Sequence, residues 1–127
     1  MELVKDSHNF HKAISAYFDI DTTGFRSVCS CDATGTPLGG CAFSPVKDGI
    51  TYAYILALNH KWASVELYKE IMRLPFITMG ANKVVGLVSS SDSRNIGLRM
   101  GGVPSKDGSE LTFDKATVLA RAEEMAV

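Results

Sequence analysis

Two β-rich runs joined by one amphipathic helix limit the folds open to this chain more than any other feature. Residues 50–58 are β-branched and aromatic and apolar on both faces, the pattern of a strand in the middle of a sheet. Residues 83–88 form a second, shorter run of the same kind. Between them, Trp62, Val65, Tyr68 and Met72 fall on a helical period over 62–74, with Leu67 and Ile71 widening the stripe. Lys61, Glu66, Lys69, Glu70 and Arg73 occupy the other side, and Leu74-Pro75 ends or kinks the helix. Strands joined through a helix lie parallel with a right-handed crossover. Any cofactor is expected where the strand 50–58 meets that helix.

The remaining segments complete a single domain over 1–127. Ser7 caps a helix reaching Phe18, with Phe10, Ala13, Ile14 and Tyr17 on one face. Residues 21–24 are turn-rich, and 25–31 and 38–43 read as a hairpin about Gly35 and Pro37. After the strand 83–88, any of Ser89, Ser90, Ser91 and Asp92 can cap a short helix over 93–100, closed by Gly101 and Gly102. Residues 109–113 read as a strand and 116–125 as a helix carried by Val118, Leu119, Ala122 and Met125.

Charge narrows the function classes. Thirteen Lys and Arg balance fourteen Asp and Glu for a net −1, and the basic residues form no stripe, so no nucleic-acid footprint is visible. No apolar run approaches the ~20 residues of a membrane span, and residues 1–6 lack a signal-peptide pattern, so a cytoplasmic protein is expected. Cys29, Cys31 and Cys41 are odd in number and lack metal or redox spacing; they read as small buried strand residues, and no metal is expected.

The order helix, hairpin, long central strand, helix, strand and short helix ending in Gly resembles that of the GNAT acyltransferases, which move an acetyl group from acetyl-coenzyme A to an amine. Trp62, Leu74-Pro75-Phe76, the stretch 79–88 and the Ser-Ser-Ser-Asp after it resemble the compact GNAT proteins of bacteriophages and prophages. The similarity spans roughly residues 25–102. It implies an α/β (α+β) fold: a mixed, mostly antiparallel sheet with a splayed central parallel pair and flanking helices. It also implies acetyl-CoA as co-substrate, with Leu56, Ala57, Leu58 and Asn59 facing its pantetheine arm. Asn59, His60, Lys61, Trp62, Ala63 and Ser64 would cradle its phosphates at the helix start, where N–H groups and peptide dipoles favour an anion. Ser91 or Asp92 takes the place of an Asn that the family sets before the next helix. The general-base position falls among Tyr52, Tyr54 and their neighbours, which makes these two the candidate catalytic residues.

Two departures from the family pattern bear on activity. The segment 59–64 contains no glycine, and residues 94–100 contain no Tyr to protonate a leaving thiolate. The leading expectation is an N-acyltransferase acting on a small-molecule or protein amine by direct attack, as monomer or homodimer. The alternative is a catalytically degenerate GNAT-shaped phage protein that binds a host protein or joins the virion, working in the host cytoplasm.

Overall fold

The computed structural model describes residues 2–88 and 90–125, and for 92 and 122–125 the backbone alone. Seven strands make one sheet: β1 (Glu2–Lys5), β2 (Arg26–Cys31), β3 (Pro37–Phe43), β4 (Ile50–Ala57), β5 (Lys83–Val88), β6 (Val103–Pro104) and β7 (Glu110–Asp114), in spatial order β1-β2-β3-β4-β5-β7-β6. Every pairing is antiparallel except β4 with β5, which runs parallel from Ile50↔Lys83 to Ile55↔Val88. The helices are α1 (His8–Phe18), α2 (Val65–Arg73), α3 (Ser91–Arg99) and α4 (Lys115–Met125). This is the mixed, mostly antiparallel sheet with one central parallel pair that the sequence implied.

The two sheet faces carry different loads. On one, Ala53, Ile55, Val84, Leu111 and Phe113 pack with Leu67, Ile71 and Met72 of α2 and Val118 of α4. α3 joins this face because Gly97 has no side chain: a Cβ there would overlap Leu111. On the other face α1 sets Phe10 and Ile14 against Cys29, Cys31, Ala42 and Leu56. The cysteines are the small buried strand residues their positions suggested.

Local chemistry explains where the element boundaries fall. Ser7 caps α1 through the Phe10 N–H at 3.2 Å, as its sequence predicts. β1 was not apparent in the sequence, since four residues hold only one alternation; Asp6 at its end accepts from the Arg26 Nε and the Ser27 N–H, which ties it to β2. The helix expected from Trp62 begins at Val65 instead, because Ser64 adopts an extended backbone and its hydroxyl accepts the Leu67 N–H at 3.1 Å. At its far end α2 widens into a π-helical turn, Leu74–Thr78. Pro75 has no N–H for the α register and its ring crowds the preceding turn, and the i→i+5 bond from Met79 to Leu74 accommodates it. Among the four candidate caps of α3, Ser90 takes the role: its hydroxyl accepts the Ser93 N–H, and Ser93 Oγ accepts the Ser90 N–H.

Candidate cofactor site

The centre of the sheet has an opening built by unequal pairing. β3 stays hydrogen-bonded to β4 as far as Gly39↔Ala57, whereas β5 leaves β4 after Ile55↔Val88. Leu56 and Ala57 therefore have a strand neighbour on one side only among the described residues. The N–H groups of Leu58 and Asn59 both turn back onto the Leu38 carbonyl, at 2.9 and 3.0 Å. A bare length of β4 edge thus faces the space in front of α2, and an extended amide-bearing ligand fits such an edge as an added strand would.

Residues 58–63 form the loop between β4 and α2. Trp62 donates its N–H to the Asn59 carbonyl at 3.1 Å, and Asn59 Oδ1 accepts the Lys61 N–H at 2.8 Å, which closes a tight turn. The Trp62 ring is buried on Gly39, where a Cβ would come within 2.8 Å of it, and its carbonyl accepts from Ser30 Oγ at 2.7 Å. That anchor projects His60 and Lys61 into solvent. The amides at the helix entrance are those of Val65 and Glu66, which lack intrahelical acceptors. The residues expected to cradle phosphate, 59–64, form the loop and the cap that lead up to these amides.

A cleft of about 380 Å³ opens beside this turn, lined by His60, Trp62, Ala63, Tyr68, Asn95, Ile96 and Arg99. Three of the residues expected at the cofactor therefore line it. Tyr68, Asn95 and Arg99 were missed; Asn95 and Arg99 stand one helical turn apart on α3, a spacing that shows them sharing a face without showing what that face meets. Burial raises the Tyr68 phenol above its ordinary value, and the nearby Arg99 charge opposes that rise. The phenol therefore stays protonated across the neutral range. Leu56, Ala57, Leu58 and Asn59 form the strand edge, Ser64 serves as the cap, and Ser91 is exposed at the first position of α3. The side chain of Asp92 lies outside the described residues.

Tyr52 and Tyr54 sit elsewhere. Ala53 and Ile55 point to the face of α2, so both tyrosines point to the face of α1. Tyr54 is fixed between Phe18 and Phe25, with ring centroids at 5.1 and 5.7 Å, and Tyr52 is nearly half exposed. Among the described residues, no group of three or more His, Cys, Asp and Glu gathers where it could hold a metal.

No protein-family model and no curated protein matches the chain in sequence. Solved structures do match in shape. A spermidine N-acetyltransferase from Vibrio cholerae, in complex with CoA and spermine, superposes with a TM-score of 0.63 at 11% identity, over 93% of this chain and 97% of that one. A chimera of the Vibrio cholerae enzyme SpeG with hSSAT gives 0.63 at 8% identity, over 94% and 99%. The AtaT-AtaR complex bound to DNA contributes a chain at 0.61 and 11% identity, over 94% and 98%. The fold of this chain is that of the GNAT acetyltransferases.

Proposed function

We propose that the protein is an N-acyltransferase that takes an acetyl group from acetyl-CoA to an amine. The observation that carries this reading is the bare β4 edge at Leu56–Ala57 together with the cleft of His60, Ala63 and Arg99 on the loop that follows it. The edge suits the two amides of a pantetheine arm, and the helix entrance with Arg99, His60 and Lys61 suits its phosphates. The solved neighbour in complex with CoA supports the same choice of co-substrate. The thioester supplies an activated acyl group. The protein's part is to hold it and the amine in line, and positioning of that kind alone removes a large share of a transfer barrier. Of the two tyrosines, Tyr54 is the better placed to orient the acceptor, since it stands one residue before the opening and its ring is held by Phe18 and Phe25.

Calorimetric titration with acetyl-CoA tests the reading: saturable binding is expected, and no heat at millimolar ligand sinks it. A second reading, a GNAT-shaped binding factor without activity, is favoured by the absence of glycine in 59–64 and of tyrosine in 94–100. It predicts CoA binding without thiol release in the presence of any amine.

A further inference from the structure

A second cleft, of about 250 Å³, lies between α1 and the loop that follows it. Phe10 and Ile14 turn one side of α1 to the sheet. His8, His11, Lys12 and Ser15 recur at spacings of three and four along another side, and with Thr22 and Thr23 of the returning loop they line the cleft. The His11 ring stands over Ser27, so the cleft lies towards the start of β2. The bare edge of β4 is elsewhere: Ala57 pairs with Gly39, which pairs with Ser30 near the end of β2. The two clefts share no residue.

The lining divides into groups that hold the walls and groups with nothing to hold. Ser15 Oγ donates to the Ile20 carbonyl at 2.6 Å, and the Thr23 N–H and Oγ–H both donate to Asp21 Oδ1, at 2.9 and 2.7 Å, which keeps that carboxylate in its own turn. The His8 ring, the Lys12 ammonium and the half-buried Thr22 hydroxyl have no hydrogen bond or ion pair among the described residues. His11 shares its Nε2 with Ser27 Oγ at 2.7 Å; with Ser27 donating, Nδ1 carries the proton and is a further donor. No carboxylate lines the cleft. Burial and the neighbouring His8 both act against a charge on His11, and a negative group set between the two rings relieves that conflict. A metal ion is served less well, because the cleft offers two imidazoles and no group of three or more His, Cys, Asp and Glu among the described residues.

We propose that this cleft is a binding site for a small phosphomonoester, its phosphate held by Lys12, His8 and His11 from the helix and by Thr22 from the loop. A phosphate is all acceptor when fully ionised, and its three terminal oxygens point in three directions, so one group meets donors on both walls at once. A carboxylate has two oxygens in one plane and serves one wall. Lys12 supplies the point charge, and the space beyond the phosphate takes a small polar body. The site stands apart from the acyltransferase reading, since none of its residues belongs to the cofactor cleft. A ligand that bridges the walls also ties α1 to its following loop, the two segments whose Phe18 and Phe25 pack on Tyr54.

Titration of the full chain with inorganic phosphate and with glycerol 3-phosphate at neutral pH, followed through the histidine ring resonances by NMR, tests the proposal without any need for acetyl transfer. The His8 and His11 signals are expected to move together and saturate, with glycerol 3-phosphate bound at least as tightly as inorganic phosphate. Lys12→Glu, exposed on α1, should leave the melting temperature unchanged and weaken binding about tenfold or more. Thr22→Val keeps the shape of the side chain and removes the donor, and should weaken binding about fivefold. Arg99→Glu, in the other cleft, should leave the His8 and His11 shifts as they are. The proposal is overturned if only His60 responds, since the phosphate then sits at the start of α2. It is also overturned if neither ligand saturates at millimolar concentration, if Lys12→Glu changes the affinity less than about twofold, or if glycerol 3-phosphate fails to bind where inorganic phosphate does. A shift of both rings by zinc and not by phosphate overturns it as well, and would make the imidazole pair a cation site.

Discussion

Trp62 shows how one side chain sets the geometry of the junction. Its buried ring on Gly39 and its carbonyl held by Ser30 fix the loop that carries His60 and Lys61. Trp62→Ala should cost about 3–5 kcal/mol in denaturant unfolding, the range for deleting a large buried ring, and should weaken acetyl-CoA along with stability. Arg99→Glu separates the two effects: exposed on α3, it should leave the unfolding midpoint unchanged while weakening acetyl-CoA about tenfold or more. His11 carries a different residue-scale effect. Burial lowers its imidazole pKa from 6.5, Asp6 opposing and His8 reinforcing, and its Nε2 lies 2.7 Å from Ser27 Oγ. A folded state that binds fewer protons than the unfolded one is most stable above the unfolded value; stability is then lost as pH falls through about 6.5 and below. His11→Gln should flatten urea midpoints between about pH 7 and about pH 5.5, and an unchanged slope would assign the pH dependence elsewhere.

At the scale of elements, α2 and α3 form the walls of the cleft, and each depends on a small residue. Ser64→Ala removes the cap that starts α2 and should cost about 1 kcal/mol in unfolding free energy. Gly97→Val sets a branched side chain where even a Cβ overlaps the end of the Leu111 side chain, so that buried side chain or α3 itself must shift. It should lower the melting temperature and distort the cleft through Asn95 and Arg99. The strands β2, β3, β4 and β5 could be read from the sequence because alternation, apolar runs and turn residues agreed within each segment. Trp62 misled because its apolar spacing continues the helical stripe, whereas the start of a helix is decided by the cap. Asn95 and Arg99 were silent for a related reason: a polar residue on a helix looks solvated until the fold places another element beside it. β1 was too short for any period to register.

At the scale of the molecule, the two packed faces enclose all three thiols. Burial, helped by Cys31 alongside, pushes Cys29 up to about 12, and burial alone raises Cys41 further. Thiolates are the reactive form, so a disulfide reagent at neutral pH should label these positions only as fast as the whole protein unfolds; rapid labelling would show that one face opens on its own. The single parallel pair has a consequence for synthesis. Strands β1 to β4 neighbour one another in chain order, so they can assemble as they leave the ribosome, whereas β5 lies beyond α2 and its π-helical turn. Until residue 88 has been made, β4 is the rim of a half-built sheet, apolar on both sides and open to strands of other chains. The same edge that later stays bare at Leu56 and Ala57 is then bare along its whole length, and it is during translation that this protein is most exposed to aggregation.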